Sequence, residues 1–184
     1  MSNPTSAAAL SPRRVGIAFI ARALPAIVVA LAITFSANHS AVVGLIAFLA
    51  FGFATAPILM MTALAVPLTG KTRVFTFVQA AAAVGAAAVA ATTLDMATDS
   101  LQLTIAIWAA VAGIAELLQG ILSAEKGLAR EWITLGVLGC LLAIVEVFPL
   151  TEVYAVGLFG AYAAIVGVYL VIAGVSFVMK KEAS

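Results

Sequence analysis

The sequence predicts an all-α fold, a polytopic transmembrane bundle of six helices, and three observations lead there. Of the 184 residues 65% are hydrophobic and 9% charged, with a mean hydropathy of +1.22, whereas soluble domains are roughly half apolar. The apolar residues gather into six runs, each near the length of about 20 residues that crosses a hydrocarbon core. The polar breaks between the runs are short and differ in charge from one side to the other. No polar stretch is long enough to fold as a soluble domain, which excludes a catalytic module outside the bundle.

The elements follow in order. Residues 1–14 (MSNPTSAAALSPRR) mix Ser, Pro, Asn and Ala and read as a disordered cytoplasmic tail. Val15 to Phe35 forms the first span, interrupted by Arg22 and Pro25, and SANHS at 36–40 breaks it. Ala41 to Leu68 forms the second, long enough to cross with a tilt or a kink at Pro57. TGKTR at 69–73 is a basic turn into the Ala-rich third span, Val74 to Leu94. DMATDS at 95–100 is an acidic loop before the fourth span, Leu101 to Leu122, and SAEKGLARE at 123–131 is the most charged segment. Trp132 to Phe148 and Val153 to Met179 complete the six, separated by PLTE, and residues 180–184 form a second cytoplasmic tail.

Charge placement gives the orientation, because short cytoplasmic flanks are enriched in Lys and Arg. With six alternating spans, Arg13, Arg14, Lys71, Arg73, Lys126, Arg130, Lys180 and Lys181 all fall on one side, and the opposite loops hold no Lys or Arg. Merging or splitting one run would scatter the cations over both faces. The expected location is a bacterial cytoplasmic (inner) membrane with both termini inside. A cleaved secretory signal is the rival reading of the first run, but that run exceeds a signal core of about 7–15 residues and Phe35 to Ala37 makes a poor cleavage site.

Charged residues inside spans are expensive and therefore informative. Arg22 lies seven residues into its span and Glu116 six from the end of its own, so both sit roughly 9–11 Å from the basic boundary at 1.5 Å per residue. One reading pairs them, with Gln119 a turn away on the face of Glu116. The other lets Arg22 snorkel alone to the headgroups, and leaves Glu116 as a proton-binding group in a hydrated cavity. On the opposite side His39, Asp95, Asp99, Glu146 and Glu152 form an acidic rim, read either as solvated loop charge or as a pH-responsive surface.

Other residues read as packing. Ala81 with Gly85, Ala109 with Gly113, and Gly160 with Ala164 permit close backbone approach. Trp132 and Tyr154, at span starts, suit the membrane interface. Cys140 is the one cysteine and His39 the one histidine, so the chain alone makes no disulfide, no bis-histidine haem and no zinc motif. The sequence therefore predicts no enzyme, no metal and no cofactor.

Two later segments repeat: Trp108 to Ile121 (WAAVAGIAELLQGI) overlays Tyr162 to Val175 (YAAIVGVYLVIAGV), matching an aromatic, Ala-Ala and two glycines seven apart. Arg73-Val-Phe75 and Arg130-Glu-Trp132 precede their hairpins alike, which suggests three parallel helix-hairpin repeats; Ala and Gly of low complexity are the competing explanation. Gly113 and Gly120, Arg130 to Trp132, Gly136 and Gly139, Pro149, and Gly167 with Gly174 resemble the HdeD-like family of small six-span bacterial membrane proteins. The resemblance covers Leu103 to Phe177 best and implies a helix-pair repeat tied in some members to acid or envelope stress, without catalytic residues to carry over. The expected function is thus a non-enzymatic, structural or stress-related membrane protein. A small proton-coupled transporter or channel using Glu116, and an accessory subunit of a larger membrane complex, are the alternatives. The lipid bilayer is the expected partner, with a homo-oligomer or larger complex open and nucleic acid excluded.

Overall fold

The computed structural model describes residues 11–68 and 70–180. Six helices run through them: α1 (Pro12–Phe35), α2 (Ala41–Ala65), α3 (Gly70–Thr92), α4 (Ala97–Leu122), α5 (Lys126–Glu146) and α6 (Glu152–Met179), with one 3-10 turn at Leu94–Met96 before α4. All six are long and apolar enough to cross a membrane, which makes the chain a multi-pass membrane protein by length and composition. Residues 1–10, most of the expected tail, and Lys181 lie outside the described residues.

The helices extend beyond the apolar runs, chiefly at the basic end. Residues 12–14 were expected in the tail but are helical, because Pro12 takes the first helical position, where its fixed φ fits and its missing N–H costs nothing. Gly70 to Arg73 belongs to α3 rather than to a turn, and Lys126 to Glu131 to α5 rather than to a loop. Lys, Leu, Ala, Arg and Glu are strong helix formers, so a hydropathy boundary underestimates the helix there. The second span ends earlier than expected, at Ala65, where the chain turns extended before Pro67.

The helices form a ring in chain order, and one packing rule recurs three times. The second helix of each hairpin packs most extensively on the first helix of the next: α2 on α3, α4 on α5, and α6 back on α1. Contacts within each hairpin are smaller, and α5 touches α6 only sparsely. The even helices α2, α4 and α6 also meet one another. Parallel hairpins arranged about a common centre produce this pattern.

Glycines make the intimate pairs, and repeat-matched glycines do matching work. A β-carbon on Gly113 would lie 2.7 Å from the Cys140 backbone N, and one on Gly120 2.8 Å from the Ala129 carbonyl, both on α5. A β-carbon on Gly174 would lie 2.8 Å from the Gly16 carbonyl, and one on Gly167 3.2 Å from the Ile27 backbone N, both on α1. Backbone cannot yield as a side chain can, so these positions set the interhelical distance. Gly85 departs from expectation: a β-carbon there meets nothing within 4 Å, and Ala81 and Gly85 line an open groove between α3 and α4.

An aromatic cluster fills the centre. Phe48 and Phe51 of α2, Trp108 of α4, and Phe159 and Tyr162 of α6 meet edge to face, with ring centroids 5.2 to 6.0 Å apart. This geometry aligns the positive ring edge with the negative face. Trp108 and Tyr162, equated by the internal repeat, touch each other.

Candidate functional site

Between the aromatic centre and the basic end lies a layer of buried polar side chains. Arg22 of α1 forms an ion pair and hydrogen bond with Glu116 of α4. Their side chains are 14% and 1% exposed, so the guanidinium turns into the bundle and does not snorkel. Pairing spares each charge the cost of isolation in a medium without water. Tyr162 of α6 and Cys140 of α5 are close enough to feel the charge of Glu116.

One turn further along α4, Gln119 reaches α3. Its Nε2 donates to the Thr72 carbonyl oxygen at 2.9 Å and to Thr76 Oγ1 at 2.7 Å, while its Oε1 accepts from Gln79 Nε2 at 2.5 Å. The Thr76 hydroxyl donates in turn to the Thr72 carbonyl oxygen at 3.1 Å. These bonds fix which way the Gln79 amide points, and its buried Oε1 has no hydrogen-bond partner among the described residues. Thr72, Thr76 and Gln79 were missed by the sequence reading. Their signal was spacing: positions four and three apart make one polar stripe down a helix otherwise rich in Ala.

This network borders a cavity of about 30 Å³, lined by Arg22, Thr76, Gln79 and Gln119 together with Leu128 and Trp132. Trp132 is thus 6% exposed and belongs to the site, not to the membrane interface where its position predicted it; Tyr154, 68% exposed, has the exposure of an interface residue. Toward the basic end a wider recess of about 290 Å³ is lined by Thr72, Ser123 and Glu125. Leu68, Leu128 and Trp132 line both spaces. A larger concavity, about 780 Å³, is a mostly apolar groove between α1 and α2 past Ile17, Pro57 and Met61, with the character of a surface covered by acyl chains.

A second buried acid, Glu131, was read as loop charge. It sits on α5, 6% exposed, where its carboxylate accepts from the Tyr169 hydroxyl of α6 and from Arg130 Nη2 at 2.9 Å. Register again explains the miss, since α5 starts before the apolar run does.

The acidic rim divides into three kinds of residue. Asp95 and Asp99 are exposed and His39 is half-buried in a cleft beside Glu152. Glu152 is a helix cap: its Oε2 accepts from the Ala41 backbone N–H at 2.8 Å and its Oε1 from the Thr98 hydroxyl at 2.9 Å. A carboxylate there answers the unpaired N–H groups and positive dipole end of α2. Glu146 is not a solvated rim group at all. It is 2% exposed, neither carboxyl oxygen meets a hydrogen-bond donor in good geometry, and nearby Gln102 donates instead to the carbonyl oxygens of Glu146 and Phe148.

Among the described residues no three of His, Cys, Asp and Glu converge in a way that would hold a metal ion. What the buried layer offers chemically is one carboxyl group, one guanidinium and a chain of amides and hydroxyls. Such a set can hold protons and water. Comparison with protein-family models, with curated proteins and with solved structures returned no match for this chain.

Proposed function

We propose that this chain is a non-enzymatic integral protein of the bacterial cytoplasmic membrane, of HdeD-like type, with both termini inside, acting structurally or in acid or envelope stress. The carrying observation is that Arg22 and Glu116, the two charged residues deepest in the spans, satisfy each other. Arg22 and Glu116 close on one another, and the aromatic cluster fills the bundle between them and the acidic end. A pump or channel would need such groups to face a route across the bilayer. The location rests on the one-sided cations, and the family on the glycine and Arg-Glu-Trp pattern of Leu103 to Phe177.

Purified protein in liposomes, challenged with an acid jump, tests the reading. Proton flux at the level of empty liposomes, for the native chain and for Glu116→Gln alike, is expected. Flux that the substitution abolishes favours the second reading, a small proton-coupled transporter. The cavity at Arg22 and Gln79 is the specific observation behind that alternative.

A further inference from the structure

Three facts about the basic half of the bundle converge on one feature. The Gln79 Oε1 atom is buried and has no hydrogen-bond donor among the described residues, and the Gln79 residue lines a cavity. An unanswered amide oxygen in such surroundings is costly, so a donor belongs there. The cavity of about 30 Å³ holds water but no larger ligand. Arg22 lines the same cavity and carries five N–H donors, of which the structure commits one nitrogen to Glu116. A water molecule accepting from Arg22 and donating to Gln79 Oε1 satisfies both groups.

Leu68, Leu128 and Trp132 line both this cavity and the recess beyond it, and the recess reaches Ser123 and Glu125 at the basic end of α4 and α5. In the other direction the aromatic cluster of Phe48, Phe51, Trp108, Phe159 and Tyr162 fills the centre. Sideways, Ala18, Thr62 and Val66 line both the cavity and the groove between α1 and α2, whose lining is apolar apart from Arg14 and Thr62. We infer that the bundle contains a one-sided hydrated passage, entered at Ser123 and Glu125, narrowed by Leu68, Leu128 and Trp132, and ending at a water site held by Arg22, Gln79 and Gln119. Its ligand class is water and ions of about the same size. The passage brings one aqueous phase, and only one, to the partner of the buried Glu116 carboxyl. Proton flux across the membrane is not required, so this inference stands or falls apart from the proposed function.

Silver ion, a thiol-reactive cation near the size of water, is the probe. In a Cys140→Ala background, single cysteines are placed at Thr76 at the head of the passage, at Ser123 at its opening, and at Thr55, which is buried and lines neither cavity. Each sealed-vesicle preparation is exposed to silver from one side, washed, unfolded and labelled with a maleimide. Silver from the side that reaches Ser123→Cys is expected to block Thr76→Cys as well, silver from the other side to block neither, and Thr55→Cys to label fully throughout. Adding Leu68→Trp at the neck is expected to restore labelling of Thr76→Cys and leave Ser123→Cys blocked. Thr76→Cys that labels like Thr55→Cys, or is blocked equally from both sides, overturns the passage. Should Thr76→Cys fail to fold, Thr72→Cys, one turn nearer the opening, carries the same expectation of one-sided blockade against the same controls.

Discussion

At the scale of single residues, the buried polar layer is where individual atoms decide most. Glu116 and Arg22 remain inside only as a pair, so removing one partner strands the other. Glu116→Leu or Arg22→Leu alone is expected to cost about 3–5 kcal/mol, and the double variant to recover much of that loss, because an apolar pair of similar volume avoids the desolvation penalty. Denaturant unfolding in detergent, arranged as a double-mutant cycle, measures the coupling. Gln119→Leu leaves Gln79 and Thr76 without their partner and is expected to cost about 1–3 kcal/mol in the same assay. The proximity of Arg22 and Glu116 was legible from sequence, since depth along a helix is simple counting and two opposite charges at one depth have few other partners. The roles of Thr72, Thr76 and Gln79 were not, because an isolated Thr in a span bonds its own backbone as readily as a neighbouring helix.

At the scale of elements, distance of approach governs. The α2–α3, α4–α5 and α6–α1 pairs all meet through glycines facing backbone, Gly52 against the Ala83 carbonyl in the first, whereas Gly70 and Gly85 of α3 face open space. Gly136→Ala, whose added carbon would lie 2.6 Å from the Leu117 backbone N, is expected to destabilise by about 1–3 kcal/mol. Gly85→Ala is expected to be neutral or to stabilise through helix propensity, so a melting comparison of the two separates packing from composition. Tyr169 and Glu131 form a polar tie across the sparsely packed α5–α6 contact. Tyr169→Phe is therefore expected to speed amide exchange along the basic ends of both helices with little change elsewhere. Six helices were legible because a span demands a long apolar run; their ends were not. Charged helix formers continue a helix into the headgroup region without any hydropathy signal, as Lys126 to Glu131 does.

At the scale of the whole molecule, three hairpins pack by one rule around an aromatic centre, and the cations gather at one end of the result. Glycine and aromatic spacing made the likeness of α4 and α6 legible, and α2 packs on α3 by the same rule as α4 on α5 and α6 on α1. The acidic rim shows the opposite lesson, since sequence places Glu146 and Glu152 at the correct end but not the burial of one or the capping of the other. The central claim is that lipid solvates the sides of this ring and that its basic end faces a single aqueous compartment. Single cysteines at Asn38, Asp95 and Leu150, and at Lys71, Gly127 and Lys180, in the Cys140→Ala background, test it directly with a membrane-impermeant maleimide on intact cells and on inverted vesicles. The first three should react only in intact cells and the last three only in inverted vesicles; reaction of either set in both preparations, or any exchange between the sets, would contradict it.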